Sequence, residues 1–128
     1  MASAGNDVTA EMVRHPRGWL IVSLPLPLTG QSPWDLNLML NTGRPYSALS
    51  RITYTTLAAL GQVTPATGSS CLIHSARLGT TMLSNIPMRL SAGPALIGLE
   101  GMLGLDFLER FTEVRFHFPS LRLTLMRS

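Results

Sequence analysis

Asn41, Thr42 and Gly43 are the residues whose types and spacing come nearest to a site of chemistry, with Arg44 and Ser47 just beyond them. They follow Leu36-Asn37-Leu38-Met39-Leu40, so a buried strand delivers a short polar loop at its end. An amide in that place donates and accepts hydrogen bonds but cannot serve as a base. Other chemistries find little support. His15, His74 and His117 have no metal-ligand spacing and no acidic neighbours at helical separation, so each reads as a surface or strand residue and no metal is expected. Cys71, beside Ser69 and Ser70, lacks a recognisable base, and no Gly-x-Ser-x-Gly elbow is present. No glycine-rich phosphate loop precedes a helix in the required context, so no nucleotide or other cofactor is expected.

The elements that must position the loop fit one domain in 128 residues, read as a flexible N-terminus over 1–13 and a single folded unit over 14–128. Only 13% of residues are charged while 45% are apolar. Against the roughly 25% charge of an average soluble domain, that implies a partly covered surface, most simply by another copy of the chain. The net charge of +3 rests on ten Arg and no Lys, spread from Arg14 to Arg127 with no interleaved aromatics, which argues against a nucleic-acid surface. Trp19 to Leu28 is apolar after Arg14 and Arg17, yet it carries Pro25 and Pro27 and lacks a small-x-small site. It reads as a first strand rather than a signal peptide and is too short to span a membrane. The lone Cys71 allows no intrachain disulfide; the compartment stays open, with the cytoplasm favoured.

Strands are expected over Trp19 to Leu26 and Asp35 to Leu40, joined by the turn signal Thr29-Gly30-Gln31-Ser32-Pro33. The two prolines near the end of the first suit an edge strand or a strand terminus. A helix over Arg51 to Leu60, with Ile52, Leu57 and Leu60 as its apolar residues, stops at Gly61. Gln62 to Leu72 reads as a hairpin tipped by Gly68, and Cys71 to Leu78, Thr80 to Leu83 and Ile86 to Leu90 as three short strands with turns at Gly79 and Asn85. Such short strands imply an all-β barrel or sandwich. After a loop from Ser91 to Gly101, Asp106-Phe107-Leu108-Glu109 has the form of a capping box opening a helical turn. Alternation at Val114, Phe116 and Phe118, then at Leu121, Leu123 and Leu125, predicts a closing hairpin across Pro119-Ser120.

Two of these regions together resemble the retropepsin-like aspartic peptidases. Hydrophobic residues running into Asn41-Thr42-Gly43, with Ser47 a few positions on, are similar to that family's Asp-Thr-Gly turn, with Asn41 standing where the Asp would be. Glu100-Gly101-Met102-Leu103-Gly104-Leu105-Asp106-Phe107-Leu108-Glu109-Arg110-Phe111 is similar to its C-terminal signature, a hydrophobic pair and Gly followed by an Asp-Phe-Leu helix and a final strand pair ending in Leu-x-Leu. The resemblance covers roughly residues 18–126. It implies a closed β-barrel with one or two short helices, a homodimer in which each chain gives one loop to a shared cleft, and a peptide or protein ligand. It assigns Asn41, Thr42 and Gly43 to the catalytic turn, with Thr42 hydrogen-bonding across to the partner loop. It assigns Arg44, Ser47 and the flap residues Thr67, Gly68 and Ser69 to substrate binding. Arg44 departs from the family, which has Ala or Ser after the Gly, and a large cation there would crowd or charge the cleft. With Asn41 the chain is expected not to hydrolyse peptides, whether as a natural pseudoenzyme or as an inactivated peptidase. The same site could instead serve a peptide-binding or dimerisation module. Asp106 is read as a helix cap rather than a catalytic acid.

Overall fold

The computed structural model describes residues 7–28, 32–91 and 99–126. Ten strands form one sheet: β1 (Asp7–Arg14), β2 (Leu20–Leu26), β3 (Trp34–Leu40), β4 (Ala48–Ser50), β5 (Val63–Ala66), β6 (Ser70–Leu78), β7 (Thr81–Ser91), β8 (Gly101–Leu103), β9 (Glu113–His117) and β10 (Arg122–Met126). Two helices accompany them, α1 (Arg51–Ala59) and the single turn α2 (Leu105–Leu108). The strand order is β5-β6-β7-β4-β8-β3-β2-β1-β10-β9.

Period-two alternation builds the interior. Val22, Leu24 and Leu26 of β2, Leu36 and Leu38 of β3, and Leu123 and Leu125 of β10 all point inward and are fully or almost fully buried. Val8, Ala10 and Met12 do the same from β1. The expected flexible N-terminus over 1–13 is therefore corrected from Asp7 onward: β1 pairs with β10 on one side and with the start of β2 on the other. Residues 1–6 of that expectation lie outside the described residues, as do 29–31 of the first turn, most of the loop before Leu99, and the last two residues. The β1 ladder on β2 stops at Val22, so Pro25, which cannot donate to a ladder, sits where that side of β2 is unpaired.

The hairpin β6–β7 is one long ribbon rather than three short strands. Asn85 adopts a left-handed conformation (φ 52°) inside β7 without ending it. Inward residues change phase at the same level in both strands, from Cys71 and Ile73 to Ala76 and Leu78 in β6 and from Met88 and Ile86 to Leu83 in β7. The ribbon thereby carries its apolar face onto β2, and its turn at Gly79 abuts β1, where a Cβ would lie 2.0 Å from the Thr9 carbonyl oxygen. The sheet folds over itself by packing and is not closed into the expected barrel. Its two end strands discourage closure: β5 contains Pro65, and β9 carries the exposed ion pair between Glu113 and Arg115.

Helix α1 starts where Ser50 Oγ accepts the Thr53 amide (3.2 Å) and ends as Gly61, at φ 71°, turns the chain. Leu57 faces the core, whereas Ile52 and Leu60, the other apolar residues of the expected helix, are exposed. α2 has Gly104 at its N-cap with no side-chain cap, so the expected capping box does not form.

Candidate functional site

Asn41 leaves the end of β3 at the point where β8 runs parallel beside it, and its amide donates to the Leu103 carbonyl (2.9 Å). Its side chain folds back on its own loop: Oδ1 accepts the Gly43 amide (3.0 Å), and the Arg44 amide donates to the Asn41 carbonyl (3.2 Å). A side chain on Gly43 would meet Asn41 Oδ1 at 3.3 Å, so the glycine keeps this turn tight. Asn41 is half-buried, while Thr42, Gly43 and Arg44 are exposed.

Beneath the loop lies a second layer from α2. The Leu105 and Asp106 amides donate to the carbonyls of Arg44 (2.8 Å) and Pro45 (3.1 Å). The approach demands glycine at 104, where a Cβ would stand 2.7 Å from the carbonyl oxygens of Arg44 and Tyr46. Ser47 is the hub of this layer. Its hydroxyl donates to Asp106 Oδ1 (2.6 Å) and accepts the Gly104 amide (2.9 Å), and its own amide also donates to Asp106 Oδ1 (2.9 Å). Ser47 is completely buried. The expectation that Ser47 contacts a ligand thus gives way to a positioning role, because its polar atoms are engaged internally. Asp106, expected to cap its own helix, instead clamps Ser47 across the two segments.

The expected flap residues sit at the tip of the β5–β6 hairpin. Gly68 takes φ 68°, the Ser70 hydroxyl donates to the Thr67 carbonyl (2.6 Å), and the Ser69 carbonyl accepts the Leu90 amide (2.8 Å). Thr67, Gly68 and Ser69 are exposed and stand beside the end of β7, which in turn is tied to the loop through Arg89 N–H to Ser47 O (2.9 Å).

Two surface recesses flank the loop. One, of about 350 Å³, lies beside Thr42 and is walled by Trp19, Leu40, Phe116 and Phe118. The other, of about 330 Å³, is lined by Arg44, Tyr46, Ala48, Arg89, Leu90 and Met102 among others. In it the Arg89 guanidinium lies 3.4 Å from the centre of the Tyr46 ring, a close cation–π stack. Neither Arg89 nor the aromatic trio of Trp19, Phe116 and Phe118 was singled out for the site by its spacing. No local motif marks them: Arg89 and Phe116 are carried by β7 and β9, and Trp19 and Phe118 adjoin the ends of β2 and β9. Burial pushes the Cys71 thiol up, which keeps it protonated and poorly nucleophilic. Among the described residues no group of three His, Cys, Asp or Glu gathers, and no helix is long and apolar enough to cross a membrane.

No family model and no curated protein matches the chain. Among solved structures it is similar to a retropepsin-like aspartic protease from Rickettsia conorii, with a TM-score of 0.62 and 18% identity over 94% of this chain and 90% of that one. What the two share at that identity is the fold: a mostly β, two-helix, retropepsin-like domain. Proteins of this fold are commonly dimers.

Proposed function

We propose that the chain is an aspartic-endopeptidase-like domain whose homodimer sets two Asn41-Thr42-Gly43 loops face to face and holds an extended peptide between them without cutting it. The observation that carries this reading is the Asn41 turn itself, delivered by β3, fastened to β8 and backed by the Ser47–Asp106 clamp, within a retropepsin-like fold. Hydrolysis at such a turn needs two carboxylates about 3 Å apart sharing one proton. The ionised member takes a proton from the attacking water and the protonated one stabilises the developing oxyanion. Two facing amides would bind water without activating it, and loss of the base alone costs about 10²- to 10⁴-fold. The Asn41 Oδ1 bond to the Gly43 amide is one that a carboxylate oxygen would make equally well, so Asn41→Asp would change the chemistry and leave the turn intact.

The test restores the acid. Asn41→Asp should cleave an unstructured protein at about pH 4–6 and be blocked by a transition-state peptide inhibitor, while the unaltered chain binds peptide and cleaves nothing. Cleavage by the unaltered chain would defeat the inactive reading; a monomer at micromolar concentration would remove the shared cleft. A second reading, a non-catalytic peptide-binding or dimerisation module, is favoured by exposed Arg44 directly after Gly43. It predicts that the Asp variant binds or dimerises and still does not cut.

A further inference from the structure

The recess on the Arg44 side of the loop has a chemistry of its own. Two arginines, Arg44 from the loop and Arg89 from β7, line one concavity of about 330 Å³, and no Asp or Glu lines it. Among the described residues the Arg44 side chain has no hydrogen-bond or ion-pair partner, and the Arg89 guanidinium is held only by the face of Tyr46. Asp106, beneath the loop, is occupied by the Ser47 amide and hydroxyl, and Glu100, two residues before Met102, accepts the Asn37 amide. Arg89 is also fixed at its backbone, where β7 lies between β4 and β6: it is level with Ala48 on one side and Ser70 on the other, and its amide donates to Ser47. One cation is therefore pre-oriented by an aromatic plate and two neighbouring strands, and the other sits on the candidate loop. Two like charges opening onto one small concavity repel until an anion enters, and guanidinium forks match a carboxylate in a bidentate fashion. The floor and walls, Ala48, Leu90 and Met102, are apolar and suit the aliphatic stem of a glutamate.

We propose that this recess is an acidic subsite: Arg44 and Arg89 together take the side-chain carboxylate of an Asp or Glu in a peptide bound along the Asn41 loop. The inference rests on the peptide-cleft reading and adds the class of peptide the cleft selects. Arg44, the residue that departs from the family pattern, becomes a specificity determinant rather than an obstruction.

Fluorescein-labelled, C-terminally amidated octapeptides of otherwise neutral sequence, with one Glu placed at each position in turn and Gln counterparts for all, are titrated by anisotropy against the full chain. At one Glu position binding should be at least about tenfold tighter than for its Gln counterpart, as expected for a charge-assisted pair with two arginines. The Arg44→Ala/Arg89→Ala double variant should lose that preference, binding the Glu peptide no more tightly than its Gln counterpart. Both residues are exposed, and circular dichroism checks that the variant is folded. The control Arg14→Ala/Arg122→Ala removes the same charge elsewhere and should keep the preference; if it loses it, net charge and not the recess is responsible, and the inference fails. Equal binding of Glu and Gln peptides also overturns the subsite while leaving the peptide cleft standing. A preference that arises only with a free C-terminal carboxylate overturns the side-chain assignment in favour of a chain-end site. Binding of no peptide at all defeats the cleft reading and the subsite together.

Discussion

The inner and outer sides of the Asn41 loop are built on opposite terms. On the inner side Ser47, Gly104 and Asp106 are tied to one another: a buried hydroxyl donates and accepts, and one carboxylate oxygen receives both a hydroxyl and an amide. On the outer side the side chains of Arg44, Tyr46 and Arg89 are exposed, two of them cationic, and what joins them is the stack of Arg89 on the Tyr46 ring. Satisfied polar groups in a low-dielectric setting fix geometry, whereas exposed charges cost little to change and remain available to a ligand. One side therefore shapes the loop and the other decides what it meets.

That division can be broken by stability measurements. Gly104→Ala should have the largest effect, about 3 kcal/mol in denaturant unfolding, because its methyl group would press on two carbonyl oxygens at 2.7 Å. Asp106→Ala follows at about 2 kcal/mol, since it strips the acceptor from a buried hydroxyl and a backbone amide at once. Ser47→Ala should cost about 1 kcal/mol, leaving the Gly104 amide without its partner. Arg44→Ala should lie within about 0.5 kcal/mol of the parent while altering ligand preference. A loss from Arg44→Ala as large as that from Asp106→Ala would erase the contrast.

The sequence shows the inner strands better than the connections that fold them. Leu36 and Leu38, or Leu123 and Leu125, alternate plainly, and Asn41-Thr42-Gly43 marks the loop by its turn chemistry. β1 repeats the same alternation at Val8, Ala10 and Met12, but small residues among polar ones read as a loose tail until β10 is seen to cover them. β4 and β8 are three residues each and owe their existence to pairings with strands far along the chain, which no local pattern encodes. Asn85 carries a turn residue's signature and takes a turn residue's conformation, yet the ribbon continues because its partner strand shifts phase with it. Asp106 shows the limit most clearly. Asp at 106 and Glu at 109 match a local capping pattern, and the tertiary partner Ser47 outcompetes it; a pairing fifty-nine residues distant leaves no local trace.

The pairing of Asp7 with Met126 places β1 between β2 and β10, a strand more than a hundred residues further along the chain. During synthesis β1 can pair only with the start of β2, and its edge from Asp7 to Glu11 stays unpaired until β10 leaves the ribosome. Contacts this far apart slow folding and expose apolar strand edges meanwhile. A nascent chain arrested before Arg122 should thus be protease-sensitive and chaperone-bound, acquiring its protected sheet only when β10 emerges.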